Sequence, residues 1–565
     1  MRTQILSNPT LKGRAYAGTY VVALAWDFAS NPTANRKDLL GFAIERTELK
    51  PDGTPLEKYW MKGIKRFKDK DIGLDPGTPV PTSEHPVQSF QWCDYTAKHN
   101  RRYEYRIVPA YGTPKLIDLR ENVALTIPIQ TEPEREDETV PGNTIRHDVY
   151  FNRGVIGSQA YAREFKNAEP NPNEPFSEEM VWLSRGLFEG LLKFIALAKN
   201  EKFALRAAFY EFRYLPVATA FATVAEAGAD IKIVYDAESS YKVENLQTIQ
   251  AAGLDAIDAV IPRTVTEGIR HNKFIVLLEN QKPVAVWTGS TNISAGGIFG
   301  HSNVGHVVWD DVIATAYLGY WNRLSQDLTP TKIRPLNKQN SPTPSGMPGA
   351  NTITPLFSAR DTEDENTTLQ WYADLMDSAQ KIMCVTFAFN IDEVFQTVIR
   401  KENDVIRYIV KDDNLGGEEN IGQDKDVIFA AGSYFGSDSL FNFLRERDNP
   451  LNSNDFIHDK FMLIDPLSDD PIVVTGSANF SRPSQRINDE NMLVIRGDTR
   501  VADIYFGEFM RIFDHHYARY ISRILKQSNQ NDPNAGYLKP DNSWTDGHFD
   551  SKSYKSKRRI YFVTG

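Results

Sequence analysis

Cysteine is nearly absent: the 565 residues hold two, Cys93 and Cys384. They stand far apart in sequence, so no structural disulfide is expected and a reducing compartment is. No run of eighteen apolar residues occurs, which excludes a membrane-spanning helix. The opening stretch MRTQILSNPTLKGRAYAG lacks the sustained apolar core of a secretory leader. The expectation is a cytoplasmic protein, with export by a leaderless route left open. Positive charge is also short, since 64 Lys and Arg face 74 Asp and Glu for a net charge of −10. That weakens the case for broad nucleic-acid binding, which draws affinity from cations on phosphates, but leaves room for a local basic groove.

What is present is ordinary globular composition, 41% hydrophobic and 24% charged, in a chain too long for one core. Residues 1–130 alternate apolar and polar in short runs, among them Tyr20–Trp26, Leu40–Arg46, Phe90–Cys93, Arg102–Val108 and Val123–Ile127. That is the pattern of an antiparallel β-sandwich. Residues 131–144 fall in an acidic, proline-bearing linker. In residues 145–332 helical spacing over Glu178–Ala198 precedes strands at Phe203–Tyr210 and Ile231–Tyr235, with a helix between them and a closing helix over Asp310–Leu328. Arg153, Ser158 and Gln159 form a polar cluster read as holding the entry loop. Residues 333–354, rich in Pro, Ser, Asn and Gly, read as a second linker. In residues 355–528 the order recurs, and KIMCVTFAF echoes KFALRAAFY. The fold class expected is therefore multidomain: an all-β sandwich followed by two α/β halves with mixed sheets.

Three further stretches invite function, and the first two read better as structure. The acidic loop Lys411–Asp426 fails the spacing of an EF-hand and reads as solvated. His515-His516 reads as solvated on a final amphipathic helix over Val501–Leu525. The basic tail, residues 529–565, carries Lys552, Lys555, Lys557, Arg558 and Arg559, either as an anion-attracting segment or as a solvated tail pinning a strand at Ile560–Val563.

The chemistry lies in a repeat. IHDKFMLID, PIVVTGSANFS and NDENMLVI close the second half, while RHNKFIVLLENQKPVAVWTGSTN closes the first. His271 and Lys273, like His458 and Lys460, are two apart and share one side of a strand. Nineteen positions separate His271 from Ser290, and nineteen separate His458 from Ser477. Asn292 and Asn479 follow the serines. A base, a fixed cation and amide or hydroxyl donors on neighbouring strand ends make a set suited to phosphate. No Cys or compact His cluster accompanies them, so no metal or cofactor is expected.

These residues closely resemble the two H-x-K-x4-D motifs of the phospholipase D superfamily, over residues 145–525. The Trp26, GFAIER and RRYEYRIVPAYG strands look like a fibronectin type III module, with Tyr103 or Tyr105 as its corner tyrosine. The first resemblance implies two pseudo-twofold-related halves meeting in one site, and a phosphohistidine intermediate. It assigns His271 as nucleophile and His458 as general acid, with the reverse left open. Lys273, Lys460, Asn292 and Asn479 would meet charge on the non-bridging oxygens, and Ser290 and Ser477 would position those groups or the phosphate. Asp465 and Glu490 stand where the family has carboxylates. The first half has Leu278 in place of Asp465, and Ser302-Asn303 is read as the counterpart of Glu490-Asn491. The expectation is that Glu490 orients one histidine and a neutral group orients the other. His301 and His306 read as structural. The first functional reading is hydrolysis or transfer of a phospholipid headgroup, with transient contact at a membrane surface. The second is metal-independent cleavage of DNA or RNA, supported by the basic tail and by the lack of an obvious membrane anchor. A third is a binding module with a retired site.

Overall fold

The computed structural model describes all residues except 76–77, 136–145, 155–157, 389, 413–426, 433–450, 452–456 and 528–535. Most of the acidic loop discussed above therefore lies outside the described residues. Two seven-stranded sheets form the centre. In the first the order is Arg146–Phe151, Val304–Trp309, Lys282–Gly289, Lys273–Glu279, Phe203–Phe209, Asp230–Asp236, Val260–Arg263. In the second it is Thr352–Phe357, Asn491–Arg496, Ile472–Gly476, Phe461–Ile464, Ile382–Phe387, Ile406–Lys411, Val427–Ala431. Taken in chain order, both sheets have the same strand sequence. Each is mixed: parallel crossovers carry helices on one side, and antiparallel hairpins deliver the H-x-K strands on the other.

One apolar core joins the sheets. Phe274, Val276 and Val286 of the first pack with Leu463, Val473 and Leu493 of the second, around Tyr505, Phe506 and Phe509 of the helix Thr499–Gln527. The other faces of the two sheets have separate cores. Residues 1–130 form a four-stranded and a five-stranded antiparallel sheet around Trp26, Phe42, Tyr105 and Ile107. The Tyr103 hydroxyl accepts from the backbone N–H of Lys98 at 3.0 Å, whereas the Tyr105 hydroxyl donates to Asp94. Both cysteines are free thiols.

Several elements differ from the sequence reading. The helix expected over Glu178–Ala198 is two, Glu178–Ser184 and Leu187–Ile195, broken where Arg185 and Gly186 take positive φ. The strand expected at Val123–Ile127 begins later, at Leu125, and runs to Gln130. Part of the second linker is a helix, Pro330–Asn340: Pro330 sits at the first helical position, where its missing N–H costs nothing, and Asn337 is buried against Arg323 and Ala359. The tail ends in a helix, Tyr554–Thr564, not a strand. Its Phe562 and Val563 enter the central core, Arg559 pairs with Asp27, Lys557 pairs with Asp404 at 3.1 Å, and Arg558 lies against Tyr408. Three of the five basic groups are thus spent inside the protein. His516 is buried rather than solvated. Ser158 caps the helix Gln159–Phe165, and Arg153 donates to the Trp182 carbonyl, as a loop-holding cluster should.

Candidate active site

The H-x-K strands fix the histidines. His271 immediately precedes Lys273–Glu279, and His458 precedes Phe461–Ile464. Each lysine curls back so that its Nζ donates to the carbonyl of its own motif histidine, at 2.5 Å in both copies. The two imidazole centroids are 6.3 Å apart, nearly perpendicular, one from each sheet.

The glycine of each GSxN turn is there for space. Gly289 and Gly476 have φ of 136° and 159°, and a Cβ on either would come within 2.2 Å of a carbonyl on the neighbouring strand, Val304 or Asn491. That approach lets each following serine meet the residue across from it. Ser477 Oγ donates to Glu490 Oε2 at 2.7 Å, and Ser290 Oγ donates to Asn303 Oδ1 at 2.7 Å. Glu490 and Asn303 then cross between the sheets. Glu490 Oε2 accepts from Nδ1 of His271 at 2.9 Å, and Asn303 Oδ1 lies 3.0 Å from Nδ1 of His458. A carboxylate only accepts, so His271 carries its hydrogen on Nδ1 and leaves Nε2 as a lone pair. The Asn303 amide is oriented by its donation to the Gly297 carbonyl at 2.7 Å, which turns Oδ1 toward His458. One histidine has a charged partner and the other a neutral one.

Register corrects one alignment. Ser290 N–H donates to Val304 O, and Ser477 N–H to Asn491 O, so Asn303, not Ser302, stands where Glu490 does. His301 then corresponds to Asn488.

Burial holds His271 below its ordinary value, against the pull of Glu490. It holds His458 well below, reinforced by Lys460, His301 and Lys273. Burial also brings Lys273 down to about 7. A bound phosphate anion offsets these repulsions and raises the protonated fraction of both rings. Asn292 donates to Glu211, which also accepts from Arg213 at 2.8 Å. Oδ1 of Asn292 and of Asn479 is buried with no partner among the described residues.

Asp465 is elsewhere. It follows the far end of Phe461–Ile464, where its carboxylate accepts from the backbone N–H groups of Gln380, Lys381 and Ile382 at 2.7, 2.7 and 2.9 Å. It ties strand to strand and has no contact with either histidine. Replacing it by alanine is expected to cost about 3 kcal/mol in urea unfolding while the folded fraction keeps wild-type turnover; a stable but inactive variant would contradict this. Sequence reasoning passed over Glu211 and Tyr210, whose ring lies 5.1 Å from that of His271, and read as structural His301, whose ring lies 4.7 Å from that of His458. Only the thirteen-residue offset from serine to partner, equal in both copies, could have pointed to Asn303 and its neighbour.

Residues 372–515 match the family described as cardiolipin synthase, PLD-like domain. No curated protein matches the chain in sequence. Among solved structures the chain is similar to phosphatidylserine synthase from Haemophilus influenzae Rd KW20, at 14% identity, covering 67% of this chain and 94% of that one, with a TM-score of 0.43. It is similar to Nuc, a phospholipase D family member from Salmonella typhimurium, at 24% identity, covering 25% and 87%, with a TM-score of 0.22. Yeast tyrosyl-DNA phosphodiesterase matches at 11% identity, covering 55% and 87%, with a TM-score of 0.33. Residues 372–515 thus carry a PLD-like domain.

Proposed function

We propose that the chain is a phospholipase D-like phosphodiesterase working through a phosphohistidine, with His271 as nucleophile and His458 as general acid. Nε2 of His271 forms a bond to phosphorus as the bond to the leaving oxygen breaks, and Nε2–H of His458 protonates that oxygen. His458 then takes a proton from water as the water oxygen attacks phosphorus and the P–N bond breaks. The observation that carries this reading is the pair of imidazoles, one from each sheet, each anchored through Nδ1 with Nε2 left for the reaction. Glu490 favours His271 as nucleophile, because its charge stabilises the imidazolium that forms as phosphorus bonds to Nε2. Asn303, being neutral, leaves His458 readier to give up its proton. Lys273, Lys460 and the amides of Asn292 and Asn479 meet the developing negative charge.

The substrate we favour is a phospholipid. An apolar cavity of about 800 Å³ is lined by Phe176, Phe188, Leu192, Tyr214 and Leu215, and Arg213 at its wall reaches Glu211 beside Asn292. Phe176 and Leu215 remain exposed at its rim. Cleavage of nucleic acid loses its main support, since the basic tail is largely committed to internal pairs. Release of choline from phosphatidylcholine vesicles, lost in His458→Ala, is the expected result. Nicking of plasmid DNA in EDTA without lipid turnover would assign the site to nucleic acid instead.

We further assign residues 1–130 to a fibronectin type III-like module, and 145–332 and 355–528 to two halves related by a pseudo-twofold axis. The equal strand orders and the Tyr103 hydroxyl support these assignments.

A further inference from the structure

Three imidazoles, not two, converge on the site. His301 is buried, and its ring is 4.7 Å from that of His458. The Asn303 amide contacts both rings. Its Nδ2 donates to Nδ1 of His301 at 2.9 Å, while its Oδ1 faces Nδ1 of His458 at 3.0 Å. Because the Gly297 carbonyl fixes which end of the amide is nitrogen, Nδ1 of His301 must accept, and the ring carries its hydrogen on Nε2.

Geometry then directs that hydrogen. Both rings are held by their Nδ1 edges on one amide, so both Nε2 edges are turned away from it, side by side. Among the described residues Nε2 of His301 has no hydrogen-bond partner. Its surroundings are cationic, with Lys460 and Arg213 the charges that act on it, and burial among them keeps it neutral down to a pKa of about 3. A neutral donor next to two cations suits an anionic oxygen, because it never competes for the catalytic proton. At the equivalent position the second half has Asn488, whose amide bonds Glu490 and accepts from the backbone of Ile269, and among the described residues no third imidazole stands beside His271.

We propose that His301 is a further catalytic residue, whose Nε2–H donates a hydrogen bond to a non-bridging oxygen of the phosphoryl group held between His271 and His458. This rests on the phosphodiesterase reading above and adds to it a donor that the H-x-K and GSxN stretches do not contain. No bond to phosphorus is made or broken by His301, and its proton stays on the ring.

Two substitutions separate the donor from its support. His301→Asn keeps an amide near the Nδ1 position, facing Asn303, and deletes the Nε2 donor. His301→Gln carries an amide nitrogen out to the Nε2 position. On bis(4-nitrophenyl) phosphate, His301→Asn is expected to lower kcat about 100-fold with little change in KM, and to weaken inhibition by orthovanadate by a similar factor. His301→Gln is expected to regain part of both. An Asn variant with wild-type kcat and vanadate inhibition, or a Gln variant no better than Asn, overturns the inference. Should both variants fail to fold, the 15N spectrum of the wild-type protein decides: the His301 Nε2–H resonance must shift when orthovanadate is added, and a fixed resonance overturns it. If the wild-type protein neither hydrolyses phosphodiesters nor binds vanadate, the phosphodiesterase reading falls and His301 with it. If His271→Ala is dead while His301→Asn is unimpaired, only the His301 inference falls.

Discussion

His271→Ala and His458→Ala are each expected to lose on the order of 10⁴- to 10⁶-fold in kcat, and the double variant little more than either alone. Non-additivity follows from the mechanism, because without the nucleophile there is no P–N bond for the general acid to help form. The two losses differ in kind. Removing His271 removes the intermediate altogether. Removing His458 slows both departure of the leaving group and attack by water, so a substrate with a good leaving group, such as 4-nitrophenolate, still phosphorylates His271 and the phospho-enzyme accumulates. His458→Ala quenched in alkali, where the P–N bond survives, should therefore yield a peptide phosphorylated at His271. Glu490→Gln should fall between, about 10²- to 10⁴-fold down, since an amide can hold the ring but cannot balance the imidazolium charge. Phosphate recovered on His458 from His271→Ala, with wild-type turnover in Glu490→Gln, would reverse the assignment of the two rings.

How much of this could be seen before the fold was known depends on which forces decide each feature. The H-x-K pairs and the GSxN turns are legible because strand alternation and a glycine at a close approach are local requirements. The equal spacing of nineteen in both halves is legible for the same reason, since it spans one hairpin. Partnership across the sheets is not local. Whether Ser302 or Asn303 answers to Glu490 depends on Ser290 pairing with Val304 and Ser477 with Asn491, a register set by strands far apart in the chain. His301 reads as structural in the sequence because nothing near it says that Asn303 will turn one end of its amide to it and the other to His458. The two helices mistaken for linker and strand carry polar composition, and each is stabilised by a few buried groups, Asn337 in one and Phe562 and Val563 in the other, that only tertiary packing reveals. Asp465 shows the reverse error. Its place in the motif suggested chemistry, whereas its three backbone contacts give it a structural task.

The melting temperature is expected to fall steeply between pH 7 and pH 5, because the fold holds an unusual number of histidines neutral. His147, His271, His301, His306, His458 and His516 all have pKa values lowered from 6.5, with burial the leading cause in every case. His147 and His306 face each other at 2.8 Å, and His306 in turn bonds Tyr505, so a proton on this pair places charge in the shared core between the sheets. A histidine lowered in the folded state binds its proton in the unfolded chain first. Its stabilising contribution is therefore complete above pH 6.5 and is lost as pH falls toward the folded value. Each such group removes up to about 1.4 kcal/mol per pH unit, so even three of the six would cost about 4 kcal/mol per unit against a total stability of about 5–15 kcal/mol. Buried carboxylates work in the opposite sense. Asp459, raised to about 6, and Asp489 and Asp514, also raised by burial, take up protons in the native state before they do so unfolded, and so offset part of the loss. Six groups outweigh three. Phosphate or vanadate in the site should protect, because an anion between His271 and His458 raises their folded values and narrows the gap that drives unfolding. Melting curves at half-unit steps of pH, with and without vanadate, test both statements; a melting temperature that stays level down to pH 5 would show that these histidines protonate without leaving the fold.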